Sequence, residues 1–117
     1  MVMLGAALGG VARYIVSTAV SARFAGRFPL GTFLINVTGS FGIGLLMTLL
    51  TERLPHPYWR LLLVVGVLGG YTTFSSFEWE TFSVARSGSV WIGLAYVLSS
   101  VIVGYFAVWL GAVIARR

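Results

Sequence analysis

Cysteine is absent from this 117-residue chain, which excludes disulfides, thiolate nucleophiles and cysteine-ligated metals. Lysine and aspartate are missing too, so the eight basic side chains are all arginines and the three acids all glutamates. The single histidine, His56, stands between Pro55 and Pro57 in a polar break, and one loop histidine cannot build a metal centre. No carboxylate pair, nucleophile–base set or metal cluster is recognisable, so nothing points to an enzyme. Charge of either sign is scarce, at 9% of residues against roughly 25% in an ordinary soluble domain. The net charge of +5 is not gathered on one face. The arginines lie mainly at the ends of apolar runs, where they suit lipid headgroups better than nucleic acid.

Apolar residues make up 58% of the chain, and the mean hydropathy is +0.95. A soluble chain this short leaves much of its surface in water and could not hide so much apolar side chain. Lipid is the solvent that fits, and the length allows one bundle without a second domain. The opening MVMLGAALGG has no basic stretch before it and no convincing cleavage site, so a retained helix is expected there. Crossing the hydrocarbon core takes about 20 apolar residues. Four segments qualify, at 2–22, 30–50, 59–84 and 90–114, which predicts an all-α membrane protein. Short connections make sequential helices antiparallel neighbours and put both termini on one side.

The third segment is the odd one. It is apolar for about ten residues and then reads Gly69-Gly70-Tyr71-Thr72-Thr73-Phe74-Ser75-Ser76. Paired glycines and adjacent threonines disfavour a helix, and Ser75 with Glu78 matches a capping box that begins a new one. The pattern predicts a break near 69–76, close to mid-membrane. A continuous helix with its hydroxyls bonded back to earlier carbonyls is the alternative. A break cannot face lipid, since its freed carbonyls and amides need protein, an ion or water.

Small residues recur four apart on every helix: Gly5 and Gly9, Ala6 and Gly10, Ser40 and Gly44, Gly66 and Gly70, Ser100 and Gly104. Such spacing lets backbones approach closely in lipid. Four helices, one of them broken, can hardly enclose a wet path alone, so a homo-oligomer is expected. Loop arginines give almost no orientation bias. Arg53, Arg60, Arg116 and Arg117 lie on the face with the termini, against Arg23, Arg27 and Arg86 opposite. Insertion both ways, and an antiparallel dimer, follow naturally from that balance.

Several polar residues lie inside the spans. Arg13 either snorkels to a headgroup or raises the anion concentration at a pore mouth. Thr32, Asn36 and Ser40 (or Gly39) share a stripe on the second helix, and Asn36 serves either as interhelical glue or as pore lining. Phe74 and Phe77 either pack in the core or offer positive ring edges to an anion. Tyr96 and Ser100 add hydroxyls on one face of the fourth helix, continued by Gly104. Glu80 is expected at the far end of the third segment, bonded to hydroxyls or meeting Arg86. A donor-rich lining suits a small, strongly hydrated anion. A small multidrug-type cation transporter wants a glutamate in the first helix, where this chain has Arg13. A non-conducting membrane subunit is the other alternative.

Three motifs carry a family resemblance over essentially the whole chain: Gly9-Gly10-Val11-Ala12-Arg13-Tyr14, Gly31-Thr32-Phe33-Leu34-Ile35-Asn36-Val37-Thr38-Gly39, and Gly69-Gly70-Tyr71-Thr72-Thr73-Phe74-Ser75-Ser76-Phe77. With these the sequence resembles the bacterial fluoride-channel family, small dual-topology proteins of the inner membrane that export fluoride. The resemblance implies an antiparallel homodimer with two pores and passive electrodiffusion without an organic cofactor. Asn36 is then a fluoride donor on the pore wall, and Phe74 and Phe77 flank each pore, one from each subunit. Thr32, Tyr96 and Ser100 join the polar lining, Glu80 lies near one entrance, and Arg13 serves the vestibule. The carbonyls of Gly69 and Thr72 from both subunits are implied to hold a structural sodium ion at the dimer axis. Gly104 stands where the family has a serine, so one hydroxyl of the lining is expected to be lost.

Overall fold

The computed structural model describes residues 1–53 and 56–117, all helical or in short links, with no strand among them. The helices are α1 (Val2–Arg23), α2 (Leu30–Glu52), α3 (Pro57–Trp59), a π-helical run Arg60–Leu68, α4 (Gly69–Tyr71), α5 (Phe74–Arg86) and α6 (Val90–Ala115). Elements α3 to α5 make up one span, Pro57–Arg86, and with α1, α2 and α6 give four segments long and apolar enough to cross a membrane. This is a multi-pass membrane protein. Pro55, expected to help end the second span, lies outside the described residues. Pro57 opens α3 at a position where its missing N–H costs nothing.

End contacts fix the order of the crossings. Arg116, after α6, pairs with Glu52 at the end of α2 at 3.5 Å. At the other end of the bundle Arg27, in the first link, donates to Ser89 Oγ at 3.1 Å. Sequential spans are therefore antiparallel, as expected. Their closest partners are not sequential, however. The most extensive contacts join α2 to α6 and α1 to the first half of the third span, and both pairs run parallel.

Glycine explains the pairing. A Cβ at Gly44 would collide with the Val108 carbonyl, and one at Gly111 with the Phe41 carbonyl. On the other seam Gly9 meets Val67 and Tyr71, and Gly70 sits 2.9 Å from the Ala6 Cα by the same measure. Dispersion between backbones this close takes the place of the hydrophobic effect in lipid. Gly10, by contrast, has nothing within 4 Å of its Cβ position, so the Ala6/Gly10 repeat does not make a seam through Gly10.

Within the third span, Thr72 (φ −77°, ψ 157°) and Thr73 (φ −150°, ψ 122°) are extended. The irregular stretch is narrower than 69–76: Gly69–Tyr71 completes a helical turn and α5 already includes Ser75 and Ser76. The paired glycines are helical, and Gly70 packs against Ala6 of α1. The cap also lies two residues earlier than the Ser75–Glu78 box. Thr73 is the N-cap, and its hydroxyl accepts from Ser76 N at 3.3 Å. At the other end of α5, Gly88 turns the chain with φ +90°, a region costly for any other residue.

Candidate functional site

The two extended threonines stand opposite Asn36 on α2. Asn36 Nδ2 donates to the Thr73 carbonyl at 3.0 Å, and the Thr73 N–H donates to Asn36 Oδ1 at 3.0 Å. A primary amide has two N–H donors. One is used here, and the other has no partner among the described residues; Asn36 lines a cleft of about 360 Å³ with Ser40, Gly69, Thr72, Thr73 and Phe74.

The same clasp changes the backbone. In a continuous helix the Thr73 N–H donates to the Gly69 carbonyl and the Ser76 N–H to the Thr72 carbonyl. Here the first goes to Asn36 and the second to the Thr73 hydroxyl. The carbonyls of Gly69 and Thr72 thus lose their helical donors, and both residues border the cleft.

A second cluster forms one turn toward the Arg27 end. Thr32 donates to Glu80 Oε1 at 2.8 Å and Tyr96 to Glu80 Oε2 at 2.9 Å. Glu80 meets hydroxyls, the first of its two expected partners, and makes no ion pair with Arg86 among the described residues. Each hydroxyl has one proton, and a carboxylate only accepts. Thr32 and Tyr96 therefore direct their protons to Glu80, which ties α2, α5 and α6 together. Arg13 shares a second cleft of about 360 Å³ with Tyr14, Ser17, Thr32, Ser76 and Glu80. Arg13 itself is half-buried.

The two phenylalanines differ. Phe77 is 8% exposed and packs on Tyr96 with ring centroids 5.0 Å apart. Phe74 is 73% exposed, 6.0 Å from Phe77, and borders the cleft that Asn36 lines. Ser100, one turn beyond Tyr96, has a buried hydroxyl with no partner among the described residues. Such groups are rare unless water or an ion satisfies them.

The sequence reading missed two contributors. Thr73 both caps α5 and receives the Asn36 amide; a threonine three residues before Ser76 was the available signal. Phe28 places its ring edge against Tyr96 at 5.3 Å and 80°, and nothing in a Phe-Pro pair of the first link announces this.

The chain is similar to known proteins over nearly its whole length. The family described as CrcB-like protein, Camphor Resistance (CrcB), matches residues 1–112. A protein of Solibacter usitatus called fluoride-specific ion channel FluC is 64% identical over 118 residues, covering 100% of this chain and 97% of that relative. Proteins of the same name from Acidobacterium capsulatum (48% identical, 99% and 94% covered) and Coxiella burnetii strain CbuK_Q154 (43%, 100% and 96%) align as completely. With a family match over nearly its full length and relatives aligned from end to end, the chain belongs to the CrcB-like family.

Proposed function

We propose that this protein is a fluoride channel of the bacterial inner membrane, passing the anion by electrodiffusion and relieving fluoride toxicity. The relatives' names support fluoride as the solute. The observation that carries the reading in this chain is the spare N–H of Asn36, held by Thr73 in a cleft beside Phe74. A small anion loses a tight hydration shell on entry, and fixed donors with phenyl edges replace it best for the smallest ion. Glu80, the nearest acid, is already engaged by two hydroxyls. A cation exporter is disfavoured because α1 carries Arg13 where such a carrier needs an acid.

The working unit is an antiparallel homodimer with two pores. The interrupted backbone at Thr72–Thr73, read as lying near mid-membrane, leaves carbonyls without helical donors beside an exposed Phe74. Hydrocarbon cannot satisfy such groups, so a second copy covers them. Phe74 of one subunit and Phe77 of the other then flank each pore. The near-even arginine count supports insertion in both orientations.

The residues also fit the sodium ion implied by the resemblance. Gly69 and Thr72 offer carbonyls freed by the Asn36 clasp and the Thr73 cap, the neutral oxygen donors a monovalent cation takes. Bound there, sodium supplies a fixed positive charge between subunits. The test of the function is fluoride efflux from liposomes holding the purified protein. Wild-type flux through Asn36→Ala would remove Asn36 from the pore.

A further inference from the structure

Helices α2 and α6 lie parallel in a constant register, and their facing residues form four levels. Thr32 and Tyr96 meet through Glu80 at the first. At the fourth, Gly44 presses on the Val108 carbonyl. Between them the register sets Asn36 level with Ser100 and Ser40 level with Gly104. The third level is observed directly: the nearest atom to a Cβ at Gly104 is Ser40 Oγ, 3.5 Å away.

Two hydroxyls on this interface stand out. Ser100 Oγ is buried and unpartnered. Thr38 and Thr48, on the same helix as Ser40, bond back to the carbonyls of Leu34 and Gly44. Ser40 makes no such bond among the described residues, and it borders the cleft that holds Asn36. A serine that neither bonds its own helix nor meets another side chain has its proton available. Past it the polar stripe stops, because the Gly44 contact leaves no room even for a methyl group.

We propose that Ser40 is a lining residue of the anion path, supplying from α2, beside Gly104, the hydroxyl that α6 lacks at that level. The path then runs from Asn36 and Ser100 to Ser40 and leaves the α2–α6 interface there. The lining loses no hydroxyl through Gly104; the group has moved to the facing helix. This rests on the fluoride-pore reading and adds a lining residue to it.

The test is fluoride efflux from liposomes with full-length variants. Ser40→Ala removes one hydroxyl and lowers the flux about tenfold, the factor expected for one hydrogen bond to an ion. Adding Gly104→Ser to that variant returns the hydroxyl from the opposite helix and restores most of the flux. Thr48→Ala, beyond the Gly44 contact and bonded to its own helix, leaves flux unchanged. Should Ser40→Ala fail to fold, Ser40→Cys keeps the shape with a weaker donor and carries the same expectation. Wild-type flux in the Ser40 variants overturns the proposal while fluoride conduction stands. A loss that Gly104→Ser does not rescue makes Ser40 a packing residue and overturns it as well. If the unaltered protein passes no fluoride, the pore reading itself fails.

Discussion

Asn36 and Thr73 exchange two hydrogen bonds of 3.0 Å each, so a side chain of α2 stands in for the helical acceptor that the Thr73 N–H lacks. The exchange fixes the Asn36 amide at the border of the cleft and takes the Thr73 N–H out of the helical pattern. Asn36→Ala leaves the Thr73 N–H unpaired, at about 1–3 kcal/mol for one buried group, while the Thr73 carbonyl keeps the first intrahelical bond of α5. Reduced thermal stability in detergent and fluoride efflux lowered by about tenfold or more are expected together. An Asn36→Ala protein as stable and as active as the parent would show that the clasp serves neither purpose.

Phe74 and Phe77 differ sharply in exposure. Phe77 is buried against Tyr96, so Phe77→Ile costs the chain the aromatic contact, about 0.5–1.5 kcal/mol, besides flux. Phe74 is mostly exposed in the single chain, so Phe74→Ile changes folding by less than about 0.5 kcal/mol. Its fluoride flux nevertheless falls. Thermal unfolding and efflux measured on both variants give this split, and a Phe74→Ile protein with full flux contradicts the role given to its ring.

The glycine seams make a prediction about packing alone. Gly9→Ala and Gly44→Ala drive a methyl group into the Val67 and Val108 carbonyls. Overpacking of this kind costs about 1–3 kcal/mol, and it separates helices that only backbone contact holds together. Gly31→Ala meets Ser17 Oγ at 3.5 Å, an ordinary contact, and is tolerated. Size-exclusion profiles of the three variants check the ranking. Equal behaviour of Gly44→Ala and Gly31→Ala would mean that α2 and α6 do not meet as described.

The spans were plain in the sequence because an apolar run of about twenty residues is seldom anything but a membrane crossing. Which helices touch was not. Small residues four apart occur on every helix, and only the fold shows that Gly9 meets a carbonyl while Gly10 meets nothing. The site was legible by residue type and much less by partner. Glu80 invited hydroxyls or Arg86, and the choice of Thr32 and Tyr96 depends on helices brought together from 48 and 16 residues away. Thr73 was passed over for Ser75 as the cap because a Ser–Glu box is the stronger local pattern. The bond from Ser76 N–H to the Thr73 hydroxyl is local, whereas the Asn36 clasp is a tertiary contact that no local rule contains.

Balanced loop arginines predict that the two orientations coexist. The natural chain has no cysteine, so one introduced at either terminus gives labelling without background. An impermeant reagent applied to intact cells is expected to reach about half of the introduced thiols at each terminus, the share set by a near-even charge balance. Labelling from one side only would rule out the antiparallel dimer.

The most direct measurement is ion release from liposomes that contain only this protein, loaded with equal fluoride and chloride and followed with selective electrodes. Rapid loss of fluoride with chloride held at the protein-free rate is the result expected of a narrow path lined by fixed donors. Release of both halides alike, or of neither, would contradict it.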